Sequence, residues 1–307
     1  MKKLVFLGLT LVLLFSLAAM AQVEPVPMDL ETALSYYRND SFTIEYSDTG
    51  RAQVLGIIDA LKTALGVTKD LNETNEQEVG ALEIDISLKD IVNKLSQAYY
   101  TLANVFVDED DNEDIYIKGK NWGLKSLRMN PEFNDLEGGR FDESVARETD
   151  FAALYWTNSN WLREAQKDPI GAVFAGVPKK TQMISERLLE IAPDYLSGGV
   201  YRSYGAYYSG LPAMFGRDYE KALYYLCFVV DEPDYCEGQE TIAGADEYFE
   251  NRSFFVEFYL MPKKQWQDSA RILQSIIDDP IGEEFPFMNS YSKIHAQELL
   301  TQVQEHL

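Results

Sequence analysis

Trp156, Asn160 and Arg163 stand at i, i+4 and i+7, within and just after the stretch DFAALYWTNSNWL (150–162). At about 100° per residue these positions share one stripe of a helix. A guanidinium offers a planar pair of N–H donors that matches a carboxylate, an amide adds a donor, and an indole supplies a flat apolar wall. The stripe therefore predicts a place for the head and carbon chain of an amphipathic acid. The competing arrangement is an arginine paired with a neighbouring acid and a tryptophan packed on the next helix. A second group lies in GGVYRSYGAYYSGLPAMFGRDYEKALYY (198–225), where Tyr201, Tyr204, Tyr207 and Tyr208 fall within about 120° of a helical wheel. Tyr201, Tyr204 and Tyr208 are expected to hold two helices together. Arg202 and Tyr207 have no such packing duty, so they join Trp156, Asn160 and Arg163 as the expected ligand- or partner-binding residues of an accessible cleft. Phe255, Phe258 and Tyr259 share a face and are expected to be core or the far wall of that cleft.

Little else in the chain suggests catalysis. The two histidines, His295 and His306, lie near the C-terminus without a nucleophile to serve, and no G-x-S-x-G, phosphate loop or metal-spaced histidine cluster occurs. The run DEDDNED (108–114) gives Asp108, Asp110 and Asn112 the alternate spacing of a calcium loop. However, Glu113 stands where the turn glycine belongs and Gly119 where the last bidentate acid belongs. A solvated connector is the expectation there. No catalytic residue, metal or cofactor is assigned, and the reading is a binding role.

The N-terminus reads MKKLVFLGLTLVLLFSLAAMAQ: two lysines, an apolar run, then Ala19, Met20 and Ala21 in a small-x-small arrangement. This predicts a signal peptide over 1–21, cleaved after Ala21, with one helical domain over 22–307. No cysteine lies near the junction, so no lipid anchor is expected, and the mature chain is expected in the periplasm. The formal net charge of −23 opposes binding to nucleic acid or to an anionic lipid surface. Cys227 and Cys236, the two cysteines, are nine apart; they could close a small loop in an oxidising compartment or remain free thiols.

Stepping outward from these side chains, a repeat emerges. Tyr201, Tyr204, Gly205 and Tyr208, followed by Ala222, Leu226 and Pro233, keep the spacing of a tetratricopeptide helix pair, in which rings fill the gap and small residues let backbones approach. LSQAYYTLANVF with Gly119, Gly123, Ser126 and Pro131 is an earlier echo. DFAALYWTNSNWL with TQMISERLLEIAPDY, and AGADEYFENRSFFVEFYL with KKQWQDSARILQSIIDDP, are two more. Proline after a helix, in APDY and EPDY, marks its end. TGRAQVLGIIDALKTALG is expected to form a helix that stops at Gly66, in a region that adds one more pair, and 290–306 a capping helix. The predicted fold is all-α, with four to five elaborated tetratricopeptide-like pairs.

The stretches AALYWTNSNWL (152–162), MISERLLEIAPDY (183–195) and GGVYRSYGAYYSGLPAMFGRDYEKAL (198–223) resemble the T component of bacterial tripartite ATP-independent periplasmic (TRAP) transporters, over about 151–307. That resemblance implies an all-helical tetratricopeptide-like fold, assembly as a homotrimer, and association with the periplasmic substrate-binding P component. It also implies handling of hydrophobic ligands such as organic acids. Val200 departs from a proline expected after the glycine pair, AMFGRD replaces a glycine-rich turn, and the lipoprotein cysteine of some relatives is absent. The alternative function is a general cell-envelope scaffold that holds proteins and no small molecule.

Overall fold

The computed structural model describes residues 23–38 and 41–307, so the predicted leader and its cleavage junction lie outside the described residues. Among those residues the fold is all-α: fifteen α-helices and one two-stranded ribbon. The chain begins with α1 (Leu30–Ser35), the ribbon of β1 (Tyr37–Arg38) and β2 (Ser41–Phe42), and α2 (Asp48–Ala64). The Ser47 side chain accepts from the Gly50 amide at the start of α2, and Gly66, at φ 69°, takes the left-handed stop that its position predicted. The short α3 (Glu76–Gly80) then leads to α4 (Lys89–Val105).

From there the predicted pairs appear in order. Helix α5 (Glu113–Arg128) folds back along α4; α6 (Pro131–Glu137) and α7 (Phe141–Arg147) lead to α8 (Phe151–Lys167), capped by Asp150. The small α9 (Pro169–Phe174) turns into α10 (Val177–Ile191), the partner of α8. Helix α11 (Tyr195–Gly210) pairs with α12 (Tyr219–Leu226). Helix α13 (Phe249–Phe255) runs on through a wide turn at Val256–Leu260, followed by α14 (Trp266–Asp278) and the terminal α15 (Pro286–Gln304). In the first region α1 contacts α2, and α2 packs directly on α4. No described helix is long and apolar enough to cross a membrane.

Close approach of helices explains the small residues in the sequence. A Cβ on Gly119 would sit 2.2 Å from Asn160 Oδ1, and one on Gly123 would sit 2.8 Å from Thr157 Cα, so α5 and α8 touch backbone to backbone. Gly205 likewise faces Leu226 across the α11–α12 pair, with 2.4 Å from a built Cβ to Leu226 Cγ. Gly123→Ala is expected to cost about 1–3 kcal/mol from overpacking, even after its better helix propensity. Urea denaturation reads this as a lowered midpoint with an unchanged slope. An unchanged midpoint would show that the helices part freely there.

Three apolar clusters hold the chain together. The first joins α1, α2 and α4, with Trp122 of α5 and Phe287 of α15 in it. The second joins α12 to α15, and the third joins α5 to α8, α10 and α11. Helix α15 thus packs by its start on the N-terminal helices, where Tyr291 donates to the Asn104 carbonyl at 3.0 Å, and by the rest of its length on α14. This helix links the first apolar cluster to the second. Cys227, at the cap of α12, and Cys236 are joined in a disulfide, resolving the choice that their spacing left open.

Candidate functional site

A cavity of about 200 Å³ lies where these helices meet. Its walls come from α4, α8, α9, α10, α11 and α13, from Phe42 of the ribbon, and from Phe287 and Met288 of α15. Apolar side chains cover most of it. Of the five residues expected at a cleft, four line this cavity: Trp156, Arg163, Arg202 and Tyr207.

Asn160 does not, which corrects the expected stripe. Relative to Trp156, Arg163 is turned about 20° one way around the helix and Asn160 about 40° the other, toward α4 and α5. There it is fully buried, donating to the Trp156 carbonyl at 2.8 Å and to the Ser96 carbonyl at 3.2 Å, in the space left by Gly119. Asn160 packs helices and does not line the cavity. The far wall is also displaced by one residue: Phe254 faces the cavity, while Phe255 and Tyr259 are buried in the C-terminal core.

The tyrosines of α11 divide by face. Tyr204 is 2% exposed, stacks on Tyr225 at 4.4 Å between ring centres, and donates to the Gln182 carbonyl. Tyr208 stacks on the same Tyr225, and Tyr201 stacks on Phe228 at 4.4 Å. Those three rings bind α11 to α12. On the other side of α11, Arg202, Ser203, Ala206 and Gly210 line the cavity, and Tyr207 stands at the border of the two faces. Its hydroxyl reaches the Pro178 carbonyl at 3.5 Å.

The two arginines of the cavity differ in kind. Arg202 is 3% exposed, and its Nε lies 3.1 Å from Glu250 Oε2. The guanidinium also donates to Asn251 Oδ1 at 2.5 Å and sits 4.6 Å from the centre of the Tyr248 ring. Burial works against its charge, but Tyr155 and Glu250 outweigh that and hold it above the usual guanidinium range. Arg202 is therefore a paired wall residue. Its partners rest on an unusual piece of backbone: Leu196, Ser197 and Gly198 are all left-handed, at φ 49°, 53° and 78°. Gly198 is required there, because a Cβ would also meet Val229 Cγ1 at 2.4 Å.

Arg163 has no such neighbour. No carboxylate of a described residue lies within 4.0 Å of it. Its contacts are Gln166 Oε1 at 3.3 Å, the Tyr100 hydroxyl, and the Phe254 ring at 5.8 Å. Glu257 acts on it through space but is itself held 3.3 Å from His295. Burial pushes the phenols of Tyr100, Tyr155 and Tyr248 upward, Tyr155 to about 12, so these hydroxyls remain neutral donors at physiological pH. The arrangement can hold an apolar molecule and offers a charged group at one point.

A family model described as the TRAP transporter T-component matches residues 82–306, which include every helix that builds the cavity from α4 onward. The chain belongs to the TRAP transporter T-component family. An uncharacterized protein of Treponema pallidum (strain Nichols) is similar, 25% identical over 152 residues, covering 42% of this chain and 47% of that relative. This chain thus spans about half the length of the curated relative it matches. Family membership associates the chain with TRAP transport.

Residue patterns alone missed Tyr100, Glu250 and Phe254. Tyr100 was visible only as one ring of the repeat stretch LSQAYYTLANVF. Glu250 carried a usable signal, since an acid in EYFENRSFF, surrounded by four rings, needs a buried cation.

Proposed function

We propose that this T-component chain is a periplasmic helical scaffold that engages the substrate-binding P component of a TRAP transporter. In the same reading it holds a hydrophobic small molecule, such as an organic acid, in the central cavity. The observation that carries the ligand half is the mostly apolar cleft lined by Trp156, Arg163, Arg202 and Tyr207. The partner half, and assembly as a homotrimer, rest on the family. An apolar cleft with a guanidinium in its wall also favours this reading over a general envelope scaffold.

Among the described residues the two most exposed large apolar side chains, Phe174 at 83% and Met214 at 82%, adjoin the lining residues Val173 and Pro212. They are the proposed contact with the P component. The test is co-expression with that protein, followed by size exclusion and mass spectrometry of the extracted ligand. Co-elution and a co-purifying hydrophobic molecule are expected, and Phe174→Asp should abolish co-elution at an unchanged melting temperature. A monomer that elutes alone and yields no extractable molecule refutes the reading.

A further inference from the structure

We infer that the cavity selects a monoanionic amphiphile of about eight carbons, a single carboxylate bound at Arg163 with its chain along Trp156, Phe254 and Val173. This rests on the reading of the cavity as a ligand site and adds the class of ligand and the residue that reads it. The argument is a charge count. Among the lining residues, Arg163, Arg202 and Glu250 carry formal charge. Arg202 and Glu250 neutralise each other at 3.1 Å, which leaves one positive charge facing an apolar space. The lining tyrosines do not alter the count, because Tyr100, Tyr155, Tyr207 and Tyr248 are all pushed upward by burial and stay protonated.

A half-buried guanidinium with no carboxylate partner, beside an apolar wall, is a seat for one anion. A second anionic group on the ligand would meet no cation, since Arg202 already has Glu250, and would have to be desolvated against hydrocarbon. A neutral head would leave Arg163 as it is. Size follows from the volume: a cavity of about 150 Å³ accommodates a six-carbon ring, so one of about 200 Å³ suits a chain of about eight carbons. Asn160, which the sequence placed beside Arg163 as a second donor, is absent from the wall, and the Tyr100 hydroxyl at Arg163 takes that place.

The experiment is calorimetric titration of the full mature protein, stripped of bound molecules, with three probes: octanoate, octanol and the eight-carbon dicarboxylate suberate. Octanoate is expected to bind about 10- to 100-fold more tightly than octanol, and suberate more weakly than octanoate by at least about tenfold. Arg163→Gln should reduce octanoate affinity to about that of octanol in the same variant, and Arg163→Lys should restore part of the preference. The octanol titration also reports whether each variant keeps a formed cavity. Octanol binding as tightly as octanoate, or suberate binding best, overturns the charge selection while leaving the cavity as an apolar site. Failure of all three probes overturns the ligand reading itself.

Discussion

Arg202→Ala is expected to destabilise the chain by about 3–5 kcal/mol, the loss seen when one partner of a buried ion pair is removed. Glu250, 8% exposed, would be left with its charge and without the Nε contact at 3.1 Å. The Tyr248 ring would lose the guanidinium above it, and the Asn251 amide oxygen would lose its 2.5 Å donor. Asn251 also donates to the Ser197 carbonyl, so the damage should reach the left-handed turn at Leu196–Gly198. Paired substitution separates charge from packing. If the Glu250 charge is what costs, Arg202→Met with Glu250→Leu should be markedly more stable than the sum of the two single changes predicts. Additive effects in chemical denaturation would show that the ion pair contributes nothing beyond its volume. Arg163→Gln offers the contrast: with no carboxylate partner to orphan, it should shift the unfolding midpoint far less.

That contrast between two arginines was not legible in the sequence, although both were singled out there. A helical wheel gives the direction in which a side chain leaves its own helix. It does not give what stands opposite, and Glu250 arrives from α13, some fifty residues later in the chain. The same limit explains Asn160. Its 40° offset from Trp156 was readable, but that the offset pointed at Gly119 required the packing of α5 on α8. What did carry through was local. Gly66 became a left-handed stop, and Gly119, Gly123 and Gly205 became places where helices touch. The order of helix pairs follows because each pair is built from neighbours in sequence. The cavity does not, because its wall is assembled from segments between Phe42 and Met288.

The clearest separation of local packing from cavity function lies one turn apart on α11. Tyr204→Ala is expected to cost about 3–5 kcal/mol, as large aromatic truncations in a filled core do. Its ring is 2% exposed and lies in a stack with Tyr225 and Tyr208, so removal leaves a void that α12 cannot close, being pinned by Gly205 against Leu226 and by the Cys227–Cys236 disulfide. Its hydroxyl bond to the Gln182 carbonyl, 3.2 Å long, also ties α11 to α10 and would be lost. Tyr207→Ala removes a ring of the same size from the border of the cavity, where space already exists and where its hydroxyl makes a long 3.5 Å contact to the Pro178 carbonyl. Its expected cost is about 1 kcal/mol or less, with a change in octanoate affinity that Tyr204→Ala, compared at a temperature where both are folded, should not show. Equal destabilisation by the two substitutions in urea would place Tyr207 in the same packed layer as Tyr204 and remove it from the site. A binding defect confined to Tyr207→Ala would instead locate the cavity wall on the side of α11 opposite its tyrosine stack.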